Sequence, residues 1–343
     1  MNILIIKLSA IGDVVLCQPF LDALRQTHPQ ARLTWLVEEA AADIVTDHPQ
    51  LDRVLILRRK SWLREIRKGH ISSIIREVRF FLKDLRSERY DLVIDLQGLF
   101  KSGVFAFLSR GHQRMGFDRS RELSHLFYNQ RMKPYDRDQH ALLRNLDVAA
   151  LLGAEVDKNP EFNLPCHETA AKLAKRLLTG ADKPRVVINP AARWVTKLWP
   201  VPRWRELIQR LVRDLKVQVI LTGGPDDTVL NHQIIRGNHG TLDVTGQTSL
   251  KVLTELFRSA AVVVCPDTGP MHLAVGAGAP VVALFGPTAP WRSGPFGPEH
   301  LVLRRDLDCS PCFRKKCPDP KCMTGLSVDE VFEAVRTKIE QGR

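Results

Sequence analysis

No window of this 343-residue chain holds ~18 uninterrupted apolar residues, so no transmembrane helix is predicted. The start, MNILIIK, lacks a basic stretch, an apolar core and a cleavage site, and runs directly into a strand pattern. No signal peptide is expected, and the seven cysteines are expected in a reducing cytoplasm. Repeats of solenoid period and low-complexity tracts are absent. A full G-x-G-x-x-G is also missing. The nearest stretch, GAGAP at 276–280, lacks the fingerprint, which disfavours a nicotinamide dinucleotide and the epimerases and dehydrogenases that use one.

What is present is globular: 44% hydrophobic and 26% charged residues, in a chain too long for one ordinary core. Two domains are expected. The net charge of +12 implies an anionic partner: nucleic acid, a membrane face or a phosphorylated substrate. Twelve Lys or Arg face four acids between Arg53 and Arg89. That stretch lacks an interleaved aromatic pattern, so nucleic acid is disfavoured. A solvated helix face accounts for Arg76, Arg79, Lys83 and Arg86. Arg58, Arg59 and Lys60 differ, because they follow VLIL at a strand end, where α/β folds place ligand loops.

Short β-rich runs alternate with amphipathic stretches. Strands are predicted at 2–7, 31–39, 53–57 and 91–97, then at 185–190, 217–224, 242–246, 261–267, 280–286 and 300–305. Helical patterns fall between them, among them 14–27, 203–214, 249–260 and 327–341. Alternation of this kind predicts parallel sheets covered on both faces. The expected architecture is two doubly wound, Rossmann-like domains facing a cleft, spanning 1–160 and 185–343. A connection at 161–184 joins them, and the terminal helix is able to pack back on the first domain.

VVVCPDTGPMHLAVGAGAPVVALFG, residues 262–286, reads as a buried strand, a polar turn, a short helix and a second buried strand. Such a turn presents free N–H groups and a positive dipole end, which suit a phosphate; an ordinary capped connection is the plain alternative. Near the N-terminus, KLSAIGDVV places Ser9, Ala10 and Gly12 at the first strand's carboxyl end, with Asp13 at a helix start. Asp13 is either a helix cap or a carboxylate that takes a proton from an attacking hydroxyl. DLQGLFKSG offers Gln97, Gly98, Lys101 and Ser102 at the neighbouring strand end. In the second half, NPAARWVTKLWP brings Arg193 and Lys197 to a strand end, where a lysine can neutralise a departing diphosphate without a metal. LTGGPDD and TGQTSL follow; Asp226 or Asp227 would accept from ribose hydroxyls or cap a helix.

Together these motifs resemble the heptosyltransferases of glycosyltransferase family 9, which build the lipopolysaccharide inner core. The likeness runs nearly end to end: KLSAIGDVV, WLVEE, DLQGLFKSG, GFDRSRE, HLFYN, KLWP, LTGG, PDTGPMH and FGPT. WLVEE, the basic stretch after VLIL and GFDRSRELSHLFYN are most similar to the heptosyltransferase I branch, with heptosyltransferase II or another family 9 transferase as the alternative. The resemblance implies a GT-B fold and an inverting, metal-independent transfer from ADP-heptose to the Kdo of a lipid A-type acceptor. It implies no cofactor, and a monomer in the cytoplasm held peripherally at the inner membrane's inner face.

By that likeness Asp13 is the general base and Lys197 stabilises the leaving ADP. Arg193, Asp227, Asp267, Thr268, Gly269 and His272 serve the donor, with Thr248 near the nucleoside. Ser9, Ala10, Gly12, Gln97 and Lys101 would line the acceptor side. Arg58, Arg59, Lys60 and Arg119 or Arg121 would meet the anionic acceptor. Ala192 and Arg193 replace the family's Thr-Thr pair, so charge from Arg193 would stand in for hydroxyl contacts. Cys309, Cys312, Cys317 and Cys322 have the density of a structural zinc site, but their spacing departs from paired C-x2-C knuckles, which leaves free or disulfide-paired thiols as the alternative. Cys17, Cys166 and Cys265 are expected in the core.

Overall fold

The computed structural model describes residues 1–118, 121–133, 136–178, 183–238 and 240–342. The chain divides into two compact units, Met1–Pro165 and Cys166–Arg343.

The first unit carries β1 (Asn2–Ile6), β2 (Arg32–Glu38), β3 (Arg53–Leu57), β4 (Leu92–Asp95), β5 (Gln113–Phe117) and β6 (Gln130–Met132). They form one parallel sheet in the order β3-β2-β1-β4-β5-β6. β5 and β6 have no counterpart in the sequence reading. QRMGF and QRM are short and polar, and they form strands because pairing beyond β4 completes the sheet, not because of their own pattern. The second unit carries β7 (Arg185–Ile188), β8 (Gln218–Leu221), β9 (Leu242–Asp243), β10 (Val262–Pro266), β11 (Val281–Phe285) and β12 (Leu301–Arg304). Its order is β12-β11-β10-β7-β8-β9, again parallel throughout.

The central strands VVVCP and VVALF are buried along their whole length, as expected where helices cover both faces. The helix Val201–Asp214 shows how this covering is encoded. Trp204, Leu207, Ile208 and Leu211 recur at helical spacing and are all buried. Trp204 meets Trp199 edge to face, with ring centroids 4.9 Å apart, and the Trp199 indole N–H donates to the Leu326 carbonyl at 3.0 Å. Aromatic mass is thereby buried without orphaning its polar atom. The terminal helix Val328–Gln341 starts at a reciprocal Ser327–Glu330 cap and places Val331 and Val335 in the same core. The helix Glu168–Leu177, within the stretch expected to be connection, packs on the helix Leu250–Arg258 of the second unit. No described helix is long and apolar enough to cross a membrane.

Candidate active site

Numbered from its own first strand, each sheet follows the order 3-2-1-4-5-6. The winding therefore reverses between β1 and β4 in the first unit and between β7 and β10 in the second. Loops leaving the carboxyl ends of those strands diverge, and such crevices are where open α/β sheets bind ligands.

In the first unit, β1 is followed by Lys7, a buried lysine whose ammonium donates to the Leu96 carbonyl at 2.9 Å. The next two backbone N–H groups, of Leu8 and Ser9, donate to Gln97 Oε1 at 3.1 and 3.0 Å. The Gln97 turn is itself fixed by buried Asp95, whose Oδ1 accepts from the N–H groups of Gln97 (2.8 Å) and Gly98 (3.1 Å). Its other oxygen accepts from the Tyr128 hydroxyl at 2.6 Å. Burial pushes the Asp95 carboxyl above its ordinary pKa, even though these hydrogen bonds act the other way. Gly98 sits at φ +65°, where a side chain is disfavoured.

On this braced loop Asp13 occupies the first turn of the helix Ile11–Val15, and its Oδ2 accepts from the Ala10 N–H at 3.0 Å. Gly12 is buried beside it. Half-exposed Asp13 borders a cavity of about 320 Å³ shared with Lys7, Gln97, Arg144 and Asn145. A carboxylate can thus hold its loop with one oxygen and still face the cavity, so the two readings of Asp13 are compatible. Lys101 donates to Ser9 Oγ at 3.2 Å and to Glu38 Oε1 at 2.8 Å. Arg59 donates to the same Glu38 oxygen at 2.9 Å.

Glu38, only 4% exposed, went unnoticed in the sequence although it stands inside WLVEE, because nothing in a strand's pattern shows that two distant cations converge on it. Burial raises its pKa, but the hydrogen bonds from Lys101 and Arg59 outweigh it and hold the group below its ordinary value. The basic triplet therefore separates. Arg59 is tied inward, while Arg58 and Lys60 are exposed at the start of the helix Arg59–Arg67. Arg119 lies outside the described residues, as does the Arg121 side chain.

In the second unit, Lys197 closes the short turn Val195–Lys197 after β7. Its ammonium lies 2.6 Å from Asp267 Oδ2 and 3.1 Å from the Asp267 carbonyl, and 4.8 Å from the centre of the Trp194 ring. Asp267 follows β10 and also accepts from Thr288 Oγ at 2.7 Å. Thr288 was legible only as part of FGPT, without a role. Next in the chain, Thr268 takes the N-cap position of the helix Gly269–Gly276, with its hydroxyl buried and making no hydrogen bond. His272 is buried one turn on. An unused hydroxyl beside the first N–H groups of a helix, with a lysine one residue away at Asp267, suits the oxygens of a phosphate.

The outer donor candidates are placed differently. Asp227 Oδ2 accepts from the Gly224 N–H at 2.8 Å, the capping arrangement. Thr248 is half-buried in the turn before the helix Leu250–Arg258, and Arg193 is exposed. Cysteine burial corrects one expectation: Cys17 and Cys265 are buried, but Cys166 is exposed, beside Glu255 of the same unit, in the loop that precedes the helix Glu168–Leu177. Cys309 and Cys317 are exposed, Cys312 and Cys322 partly so, and all four are unpaired. Among the described residues no group of three or more His, Cys, Asp or Glu is placed to hold a metal ion.

The model of glycosyltransferase family 9 (heptosyltransferase) matches residues 78–323. The chain is 32% identical over 326 residues to lipopolysaccharide heptosyltransferase 1 of Pseudomonas aeruginosa, covering 92% of this chain and 87% of that one. It is 31% identical over 313 residues to the Escherichia coli K12 enzyme of the same name, covering 89% and 93%. Among solved structures, E. coli heptosyltransferase WaaC with ADP superposes with a TM-score of 0.80 at 28% identity, covering 100% of both chains. E. coli ADP-heptose heptosyltransferase II shares the fold, with a TM-score of 0.79 at 20% identity over 99% of each chain. The fold is thus α/β of the GT-B class, and the chain is a glycosyltransferase that belongs to family 9, the heptosyltransferases.

Proposed function

We propose that this enzyme transfers a heptose from ADP-heptose to the Kdo of a lipid A-type acceptor in the lipopolysaccharide inner core, with inversion and without a metal. The observation that carries the reading is the Lys197–Asp267–Thr288 group, set beside Thr268, whose N-cap hydroxyl makes no hydrogen bond at the start of the helix Gly269–Gly276. A diphosphate gains negative charge as its bond to the sugar breaks, and a fixed ammonium with helix N–H groups meets that charge at no cost of reorganisation. Family membership and the names of the relatives support heptose as the sugar and lipopolysaccharide as the destination.

In this mechanism the acceptor hydroxyl attacks the anomeric carbon from the face opposite the diphosphate. The new C–O bond forms as the bond to the phosphate oxygen breaks. Asp13 takes the hydroxyl proton, Lys197 balances the charge of the departing ADP, and Asp267 and Thr288 hold that lysine in place. Gln97 and Lys101 fix the loop carrying Asp13, while Arg58 and Lys60 attract the anionic acceptor. Thr268, Gly269 and His272 contact the diphosphate and heptose, with Arg193, Thr248 and Asp227 at the donor's periphery. The enzyme works as a monomer on the inner membrane's cytoplasmic face. A transfer assay screening ADP-heptose against other nucleotide sugars, on Kdo-lipid A and on an acceptor already carrying one heptose, tests this by product mass. Heptose added only to the second acceptor would indicate a heptosyltransferase II, and no heptose transfer at all would overturn the reading.

A further inference from the structure

Past Arg58 and Lys60, the helices Arg59–Arg67 and Ile71–Leu85 of the first unit carry an outer surface that the reaction does not use. The first helix buries none of its residues, and the second buries only Ile74, Phe81 and Leu85. Between Arg64 and Arg86 there are seven Lys or Arg against three acids. Large apolar side chains stand open among these cations: Leu63 is 46% exposed, Ile66 44%, Ile71 56%, Ile75 48% and Phe80 71%.

The arrangement is ordered. At 100° per residue, Arg76, Arg79 and Lys83 form the row opposite the buried side of the second helix, with Ile75 on one flank and Phe80 on the other. Beneath, the pair is anchored by Trp62 edge-on to Phe81, 5.7 Å between centroids, and by the Trp62 indole donating to Glu77 at 2.8 Å. A solvated helix face has cations but no need to expose Phe80 and Ile75. A protein-binding face is depleted of lysine and of charge in general at its core, whereas here a continuous cationic row runs down the centre of the face. Apolar side chains interleaved with long cationic ones, whose stems lie flat while their heads stay wet, match the headgroup boundary of an anionic bilayer.

We infer that this helix pair docks the enzyme on anionic phospholipid, with Ile75 and Phe80 entering the interface and Arg76, Arg79 and Lys83 pairing with headgroup phosphates. That docking serves a lipid-borne acceptor rests on the reading above; the surface itself rests on the residues named here.

The test uses the full chain and vesicles free of any glycolipid acceptor, made of phosphatidylcholine alone or with about a third phosphatidylglycerol. The parent should co-sediment with the anionic vesicles only. Arg76→Gln, Arg79→Gln and Lys83→Gln together should weaken partitioning on the order of 100-fold. Ile75→Ser with Phe80→Ser should leave a residue of binding that moderate salt abolishes. Circular dichroism and transfer to a water-soluble, delipidated acceptor should stay at parental levels in both variants. Failure of the parent to bind anionic vesicles overturns the proposal, as does binding unchanged in both variants. So does a concentration-dependent dimer in the parent that both variants lose, since the face would then bind a second copy. Vesicle binding as expected without any heptose transfer upholds the surface and counts against the proposed function alone.

Discussion

The Lys197 ammonium and the Asp267 carboxylate stand 2.6 Å apart, at 15% and 9% side-chain exposure, although 69 residues separate them in the chain. The pair joins the two strand ends at which the second sheet reverses its winding, and Thr288 closes it from a third. In the proposed mechanism Asp267 acts on the donor through Lys197, which makes it a positioning residue. Removing it should cost stability as well as turnover. Asp267→Ala leaves a mostly buried ammonium uncompensated, and a loss of about 3–5 kcal/mol is expected. Asp267→Asn keeps an oxygen for Thr288 and should lose less. Urea unfolding of both variants checks the order, and equal losses would refute it.

Lys197→Met should lower kcat by about 10²–10³-fold, because the charge that develops on the diphosphate loses its fixed cation. ADP affinity, read by calorimetry, should fall in the same variant. Parental ADP binding together with parental kcat would remove Lys197 from the mechanism.

Asp13→Asn retains an oxygen that can accept from the Ala10 N–H, so the loop should keep its shape. It cannot take a proton. Folding and ADP binding should match the parent while kcat drops by about two orders of magnitude or more. A folded variant with near-parental kcat would return Asp13 to the role of a cap.

Glu38 links acid stability to the first unit's cations. Its pKa is held below the ordinary 4.5 in the folded chain, so its contribution is fully present above about that pH. The contribution is lost as pH falls through the lower, folded value. Thermal melts from pH 6 down to 3 should show the parent losing more stability than Glu38→Gln. Parallel losses would show that the Lys101 and Arg59 contacts contribute nothing measurable.

Thiol reactivity should follow burial. Burial drives the Cys17 thiol up to about 12 and also raises Cys265, so neither should react with a disulfide reagent at pH 8 before unfolding. Cys309 and Cys317, both exposed, should react in the native protein. Mass mapping of the labelled sites decides it; rapid native labelling of Cys17 would contradict its packing.

The sequence by itself determined the architecture and which turns are candidates for the chemistry. Central parallel strands are apolar on both faces, so VVVCP and VVALF are legible from composition alone, and the helices between them from their period. The polar, glycine-bearing turns after those strands marked Asp13, Lys197 and the Asp267–Gly269 turn through local chain chemistry.

Only the tertiary structure decided which of these groups touch. It recruited QRMGF and QRM as strands, because sheet completion outweighs their weak propensity. It drew Lys101 and Arg59 onto Glu38, tied Asp227 into a helix cap, and left Arg58 and Lys60 outside. An ion pair or a positioning hydrogen bond forms between side chains brought within about 3 Å by separate elements, and no periodicity along one element records its partner on another.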